Sequence, residues 1–220
     1  PSLAKSNTPY PKFASDVPGT YSLKLVVSDE RGATGEDFVI VNVLPPLTNG
    51  SFESGFDDWN VSGNVSIQSN PPYSASDGSS IVSFNDGNRP PNGVLTHAFA
   101  TIPGQIYLLE FDVGVLAYNT RQQRLGLDIP LGSQTISDTI ILNGTGGGQT
   151  TWLPKQYYLI VEGDSITVTF RDLSVETDSI DLLLDHVRIS CVGMQLIVTS
   201  EPETSVDINI CPPIAVVQTP

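Results

Sequence analysis

The sequence predicts an all-β fold, a β-sandwich or jelly roll, and three observations predict it. Turn formers are abundant, with 19 Gly and 17 Pro among 220 residues. Short runs of apolar–polar alternation recur along the chain, which is the period of a strand buried on one face. Clusters of Gly, Pro, Asn and Asp separate these runs, as in a sandwich rather than a helical bundle.

Taken in order, residues 1–18 read as loop, because Pro1, Pro9, Pro11 and Pro18 interrupt regular pairing. Tyr21, Leu23, Leu25 and Val27 alternate with Thr20, Ser22 and Lys24 and predict a strand. Glu30-Arg31-Gly32 is turn chemistry, and Phe38–Val43 is a second strand. Two strands alone are marginal in water, so this hairpin needs partners. Pro45-Pro46 reads as a stiff linker. Strands are then expected near 64–68, 79–84, 94–100, 106–116, 123–129, 134–142, 156–160, 165–171 and 180–189. Met194–Thr199 and Ser205–Ile210 read as two more, around Glu201-Pro202-Glu203. The organisation predicted is three segments, 1–46, 47–190 and 191–220, the last a small hairpin or the start of a further module.

Composition bounds the function. The chain carries 24 acidic and 10 basic residues, a net charge of −14. Nucleic-acid affinity comes mainly from Lys and Arg, so that partner is excluded. The acidic surplus serves either solubility or hard cations, which take several oxygen ligands. Mean hydropathy is +0.01, and no apolar run approaches the roughly 20 residues of a membrane span. Pro1 opens a polar stretch without the pattern of a leader, so a leader was removed or the chain begins inside a longer protein. Cys191 and Cys211 stand 20 positions apart. They suit either a disulfide, contributing about 3 kcal/mol on the chain-entropy model in an oxidising compartment, or two buried thiols.

Catalytic patterns are missing from the sequence. His97 and His186 are the two histidines, and neither neighbours a Ser or Cys nucleophile in a known pattern. There is no Gly-x-Ser-x-Gly, no His-Glu-x-x-His and no phosphate-cradling loop. Acidic residues such as Glu30, Asp57-Asp58 and Asp86 cluster in turns. The chain is therefore read as non-catalytic. Cys and His lack zinc spacing. Asn49, Asn60, Asn64 and Asn143 stand in glycosylation sequons, which Gly- and Ser/Thr-rich loops also generate by chance. For sugar recognition, which stacks aromatics on sugar faces, the candidates are Tyr118 and Arg121, with Gln123 and Arg124, and Trp152. Trp59 reads as core, and Trp152 reads as either core or ligand platform. Aromatics number 17 (8 Phe, 7 Tyr, 2 Trp) without a cluster, which favours adhesion or spacing over tight polysaccharide binding.

Two stretches resemble known families. GTYSLKLVVSDERGATGEDFVIVNV, residues 19–43, resembles the last two strands of a PKD-type immunoglobulin-like domain, a spacer of surface proteins. The resemblance implies partial immunoglobulin-like strands flanking the main domain, completed by the next domain or by a strand from a partner chain. NGSFESGFDDW at 49–59 and IDLLLDHVRIS at 180–190 resemble the opening and closing motifs of the galactose-binding-like jelly-roll superfamily, which includes carbohydrate-binding modules of the family 4/9/22 type. FATIPGQIYLLEFDVGV resembles a Pro-Gly-x-x-Tyr strand start of that superfamily. The resemblance implies a structural calcium ion where the opening segment meets the last strand. Ser51 and Glu53 would supply oxygens from one side, Asp185 a carboxylate from the other, and the Gly78 carbonyl or its neighbour Asp77 a third direction. His186 stands where a second Asp is usual. Without an ion, Glu53 and Asp185 would simply cap loops.

The expectation is a non-catalytic, extracellular structural or adhesive module of a larger surface protein or fibre, with a structural calcium site. The alternative is a carbohydrate-binding module appended to a secreted enzyme. The partners expected are carbohydrate or neighbouring subunits and modules.

Overall fold

The computed structural model describes residues 2–4, 12–14, 19–43, 47–191, 207–209 and 215–216. These residues form strands and turns, with no helix among them. The first strands are β1 (Ser2–Ala4), β2 (Lys12–Ala14), β3 (Gly19–Ser28) and β4 (Thr34–Val43). Next come β5 (Asn60–Ser62), β6 (Ser66–Gln68), β7 (Ile81–Ser83), β8 (Val94–Ala100), β9 (Ile106–Ala117) and β10 (Gln122–Pro130). The last are β11 (Thr135–Asn143), β12 (Gln149–Ile160), β13 (Ser165–Asp172), β14 (Ile180–Cys191), β15 (Asp207–Asn209) and β16 (Ala215–Val216). The chain divides into two compact units, one of Pro1–Pro45 with Ser190–Pro220, the other Pro46–Ile189.

In the first unit β3 and β4 pair along their whole length, from Gly19↔Val43 to Ser28↔Thr34. Asp29 closes the turn between them by accepting the N–H groups of Arg31 and Ala33 on one carboxylate oxygen, while Gly32 takes the left-handed conformation that glycine adopts without strain. β15 lies parallel to β4, and β1 and β16 flank β2. Phe13 and Val41 are the buried centre, with Tyr21, Leu23 and Val39 against them. The loop expected over 1–18 is therefore corrected, since β1 and β2 are three-residue strands short enough to fit between the prolines. Pro45-Pro46, the expected strand Met194–Thr199 and Cys211 lie outside the described residues. Cys191 ends β14 half-buried and is not a free thiol.

The second unit is a jelly roll of two five-stranded antiparallel sheets, ordered β11-β10-β13-β8-β5 and β12-β9-β14-β7-β6. Alternation drives it. On β9, Tyr107, Leu109, Phe111, Val113 and Val115 point inward and are buried, while Leu108, Glu110 and Asp112 face out. Ile166, Val168 and Phe170 of β13 and Leu125, Leu127 and Ile129 of β10 supply the facing layer. Each such side chain contributes about 1.5–3 kcal/mol when withdrawn from water. Phe111 and Trp59 meet Phe170 at ring-centre distances of 5.0 and 6.3 Å, so Trp59 belongs to the core. β12 starts well before the expected 156–160 and carries Pro154 mid-strand; as the edge of its sheet it tolerates a residue with no N–H to donate.

His97 is inward-facing on β8, edge-on to Trp59 at 5.0 Å. It is buried with neither ring nitrogen hydrogen-bonded. Burial holds its pKa below the usual 6.5, opposed by the Asp58 charge. A pKa lower in the fold than in the unfolded chain gives stability that is complete above pH 6.5 and is lost as pH falls below it. Asp181 works the other way, its carboxyl raised by burial to about 6. The expected result is that His97→Leu flattens the acid limb: between pH 6.5 and 5 the wild type loses midpoint relative to the variant in thermal melts at matched ionic strength.

Candidate functional site

Two places on the jelly roll bring polar side chains together. The first joins the opening turn to the last strand. Asn49 organises the turn: its side-chain amide donates to the carbonyls of Gly55 and Asp57, its side-chain oxygen accepts the Ser54 N–H, and its own carbonyl accepts the Trp59 indole N–H at 3.0 Å. The Val187 N–H donates to the Gly50 carbonyl at 2.8 Å, which docks the turn on β14. Two carboxylates then grip one loop, residues 76–80. Asp185, with no exposed surface, accepts the N–H groups of Ser76 and Asp77 at 2.8 and 2.9 Å and the Ser76 hydroxyl at 3.1 Å on Oδ2. Its Oδ1 accepts the His186 N–H at 2.6 Å. Glu53 accepts the N–H groups of Ser79 and Ser80 at 2.7 and 2.8 Å and the Ser79 hydroxyl at 2.7 Å. Gly78 lies between, in a left-handed conformation, and a Cβ there would strike the Glu53 carboxylate.

These contacts set the electrostatics. The Ser79 N–H foremost, with the Ser79 hydroxyl and Ser80 N–H, lowers the Glu53 pKa. Burial raises that of Asp185, against the pull of its N–H donors. The loop meets both carboxylates with N–H and hydroxyl donors, so a hard, oxygen-seeking cation would have to share their oxygens with that loop. Glu53 and Asp185 would be its carboxylate ligands. The remaining oxygens would be those of Ser51, half-buried two residues before Glu53, the backbone at Asp77 and Gly78, and water. Among the described residues no group of three or more His, Cys, Asp or Glu gathers at one point.

The second place is a hollow of about 460 Å³ on the outer face of β12-β9-β14, where Glu110, Asp112, Gln156, His186 and Arg188 converge. His186 Nδ1 is 3.2 Å from Asp112 Oδ2 and its Nε2 is 3.6 Å from Asp77 Oδ2. Along β12 the next outward residue after Gln156 is Tyr158, 60% exposed and paired with Leu108 of β9. Tyr158 is thus the exposed aromatic next along β12 from the hollow, outside its lining.

The other sequence candidates are dispersed. Tyr118 is exposed with its ring over Gly148. Arg121 pairs with Glu176 at 3.2 Å and with Asp178 at 3.8 Å. Gln123 is buried and accepts from the Asn85 amide at 2.8 Å. Trp152 lies against Gly114, and its indole N–H donates to the Ser74 carbonyl at 2.9 Å. The outward Glu110 and Asp112 were visible as acidic residues alternating with apolar ones on a strand. Their meeting with Gln156 and with His186 and Arg188 needs strand neighbours that sequence spacing does not show.

No protein-family model matches the chain, and no curated protein matches it. Solved structures do. TmCBM61, solved in complex with beta-1,4-galactotriose, is 19% identical, with a TM-score of 0.50 over 65% of this chain and 95% of its own. The K3 cleaved adhesin domain of Lys-gingipain from Porphyromonas gingivalis w83 is 18% identical, with a TM-score of 0.52 over 66% of this chain and 99% of its own. At these identities the likeness establishes the fold, a jelly-roll β-sandwich. No helix of the described residues is long and apolar enough to cross a membrane.

Proposed function

We propose that the jelly roll is a non-catalytic carbohydrate-binding module of a secreted or surface protein, and that its ligand face is the outer side of β12-β9-β14. The hollow carries this reading: Glu110, Gln156 and Arg188 offer acceptors and donors on one rigid face, with the exposed Tyr158 ring alongside. Concave sites with a few convergent polar groups and an aromatic wall are how proteins take up small polar ligands. The fold supports this reading, the alternative of the sequence analysis, better than a purely structural role. Affinity electrophoresis through a panel of plant and microbial polysaccharides tests it. At least one polysaccharide is expected to retard the wild type, and Arg188→Ala to weaken the retardation about tenfold, the value of a charged hydrogen bond. No retardation across the panel contradicts the reading.

The same module holds a structural calcium ion, with Glu53 and Asp185 as its carboxylates, supported by the burial of Asp185, which has no cationic partner among the described residues. Millimolar Ca²⁺ is expected to raise the wild-type unfolding midpoint above that in chelator, since a ligand of the folded state stabilises by mass action. Glu53→Gln is expected to abolish the difference. Identical melts with and without calcium remove the ion.

A structural or adhesive role in a larger surface protein is the second reading. The β3–β4 hairpin favours it, with Leu25, Val26, Val27 and Phe38 exposed as they would be at a contact with a neighbouring module. Cys191 pairs with Cys211 on this account, consistent with an extracellular setting.

A further inference from the structure

His186 lines the hollow with its backbone in the left-handed conformation, at φ +57°. A non-glycine residue keeps that conformation where its surroundings hold it. Three contacts do so here. The His186 N–H donates to Asp185 Oδ1 at 2.6 Å. Its Nδ1 lies 3.2 Å from Asp112 Oδ2, and its Nε2 lies 3.6 Å from Asp77 Oδ2. Asp112 is on β9 of the same sheet, whereas Asp77 is on the loop of residues 76–80.

Asp185 joins that loop to His186. Its Oδ2 accepts the N–H groups of Ser76 and Asp77, and its Oδ1 accepts that of His186. A carboxylate is a rigid plane, so a movement of the loop that draws on Oδ2 also turns Oδ1 and shifts the His186 amide. The Asp77 side chain closes the circuit at the imidazole. The far end of the loop hangs from Glu53, which accepts the N–H groups of Ser79 and Ser80. Gly78 leaves no slack between the two anchors, since even a Cβ there would strike the Glu53 carboxylate. Glu53 itself is not part of the hollow's lining.

Resting on the carbohydrate reading above, we infer that Glu53 is a positioning residue for the hollow. Through the loop 76–80 and Asp185 it sets where the His186 ring stands, so ligand affinity is coupled to the hold on that loop. Coupling of binding free energies is reciprocal. A ligand lodged against His186 therefore tightens the loop, just as the held loop strengthens the ligand.

Titration calorimetry in chelator, so that no bound ion contributes, reads the coupling with an oligosaccharide prepared from whichever polysaccharide the panel selects. Glu53→Ala is expected to bind at least about fivefold more weakly than the wild type, the low end of couplings between sites. Glu53→Gln keeps an oxygen for the Ser79 and Ser80 N–H groups and is expected to restore most of the affinity. Two readings separate positioning from a general loss of stability. The imidazole NMR signals of His186, told apart from those of His97 with His97→Leu, are expected to shift in Glu53→Ala without any sugar present. Hydrogen exchange at Ser79 and Ser80 of the wild type is expected to slow when the oligosaccharide binds. Ser79→Ala, which removes the hydroxyl contact to Glu53, replaces Glu53→Ala if that variant does not fold, with effects in the same direction. Unchanged affinity in the variant overturns the coupling while leaving carbohydrate binding intact. A panel with no binding overturns the carbohydrate reading, and the His186 signals then decide the positioning alone: shifted signals uphold it and unmoved signals overturn it.

Discussion

Replacing Gly50 by alanine is expected to lower the unfolding midpoint of the jelly roll by roughly 6–12 °C. A Cβ at Gly50 would strike the carbonyl group of Val187 and lie 3.0 Å from the Leu47 side chain. That obstacle is backbone in a buried strand, so it cannot swing aside as a flexible side chain would. The substitution must push the opening turn off β14 and stretch the Val187–Gly50 hydrogen bond. Overpacking of this kind costs about 3 kcal/mol. For a domain of this size each kcal/mol is about 2–4 °C. Calorimetry of Gly50→Ala beside the wild type reads the effect. A midpoint within a degree of wild type would show that turn and strand are not docked as described.

Asp185→Ala is expected to cost a similar amount, about 3 kcal/mol, for a different reason. The carboxylate accepts three N–H groups and one hydroxyl at a site with no exposed surface. Removing it leaves those donors unpaired, at about 1–3 kcal/mol for each that stays dry; the exposed loop side will rehydrate some of them. Hydrogen exchange gives a second reading. Amides of Ser76 and Asp77 are expected to lose protection while those of β9 and β13 keep theirs. Unchanged exchange at Ser76 and Asp77 would contradict the anchoring role of Asp185.

Much of the fold was legible in the sequence, and the part that was not has physical causes. β8 falls on the expected 94–100 because Leu95, His97 and Phe99 alternate cleanly with Thr96 and Ala98. The beginning of β12 was missed because Pro154 and the glycines just before the strand look like a break, and only the edge position in the sheet makes the proline acceptable. β1 and β2 hide in a proline-rich stretch because three residues are too few to show a period. The opening and closing motifs pointed to Glu53 and Asp185, and the structure hangs one loop from both. The hollow was not legible. Asp112 and His186 are 74 positions apart, and Gln156 joins them only through the pairing of β12 with β9. Tyr118 and Arg121 are sugar-recognition candidates by residue type, yet the exposed aromatic next along β12 from the hollow is Tyr158, a strand residue with nothing local to mark its face.

The most direct test of a carbohydrate face on β12-β9-β14 is calorimetric titration of one binding oligosaccharide into two double variants. Tyr158→Ala with Arg188→Ala removes the exposed aromatic next along β12 and the guanidinium of the hollow. Arg124→Ala with Arg171→Ala strips the outer side of the opposite sheet, where Arg171 pairs with Asp128 at 3.4 Å. The first variant is expected to lose about a hundredfold in affinity, from a stacking contact and a charged hydrogen bond together, while the second is expected to bind as the wild type does. Retained binding in the first and loss in the second would place the ligand on the other sheet and rule out a carbohydrate face on β12-β9-β14.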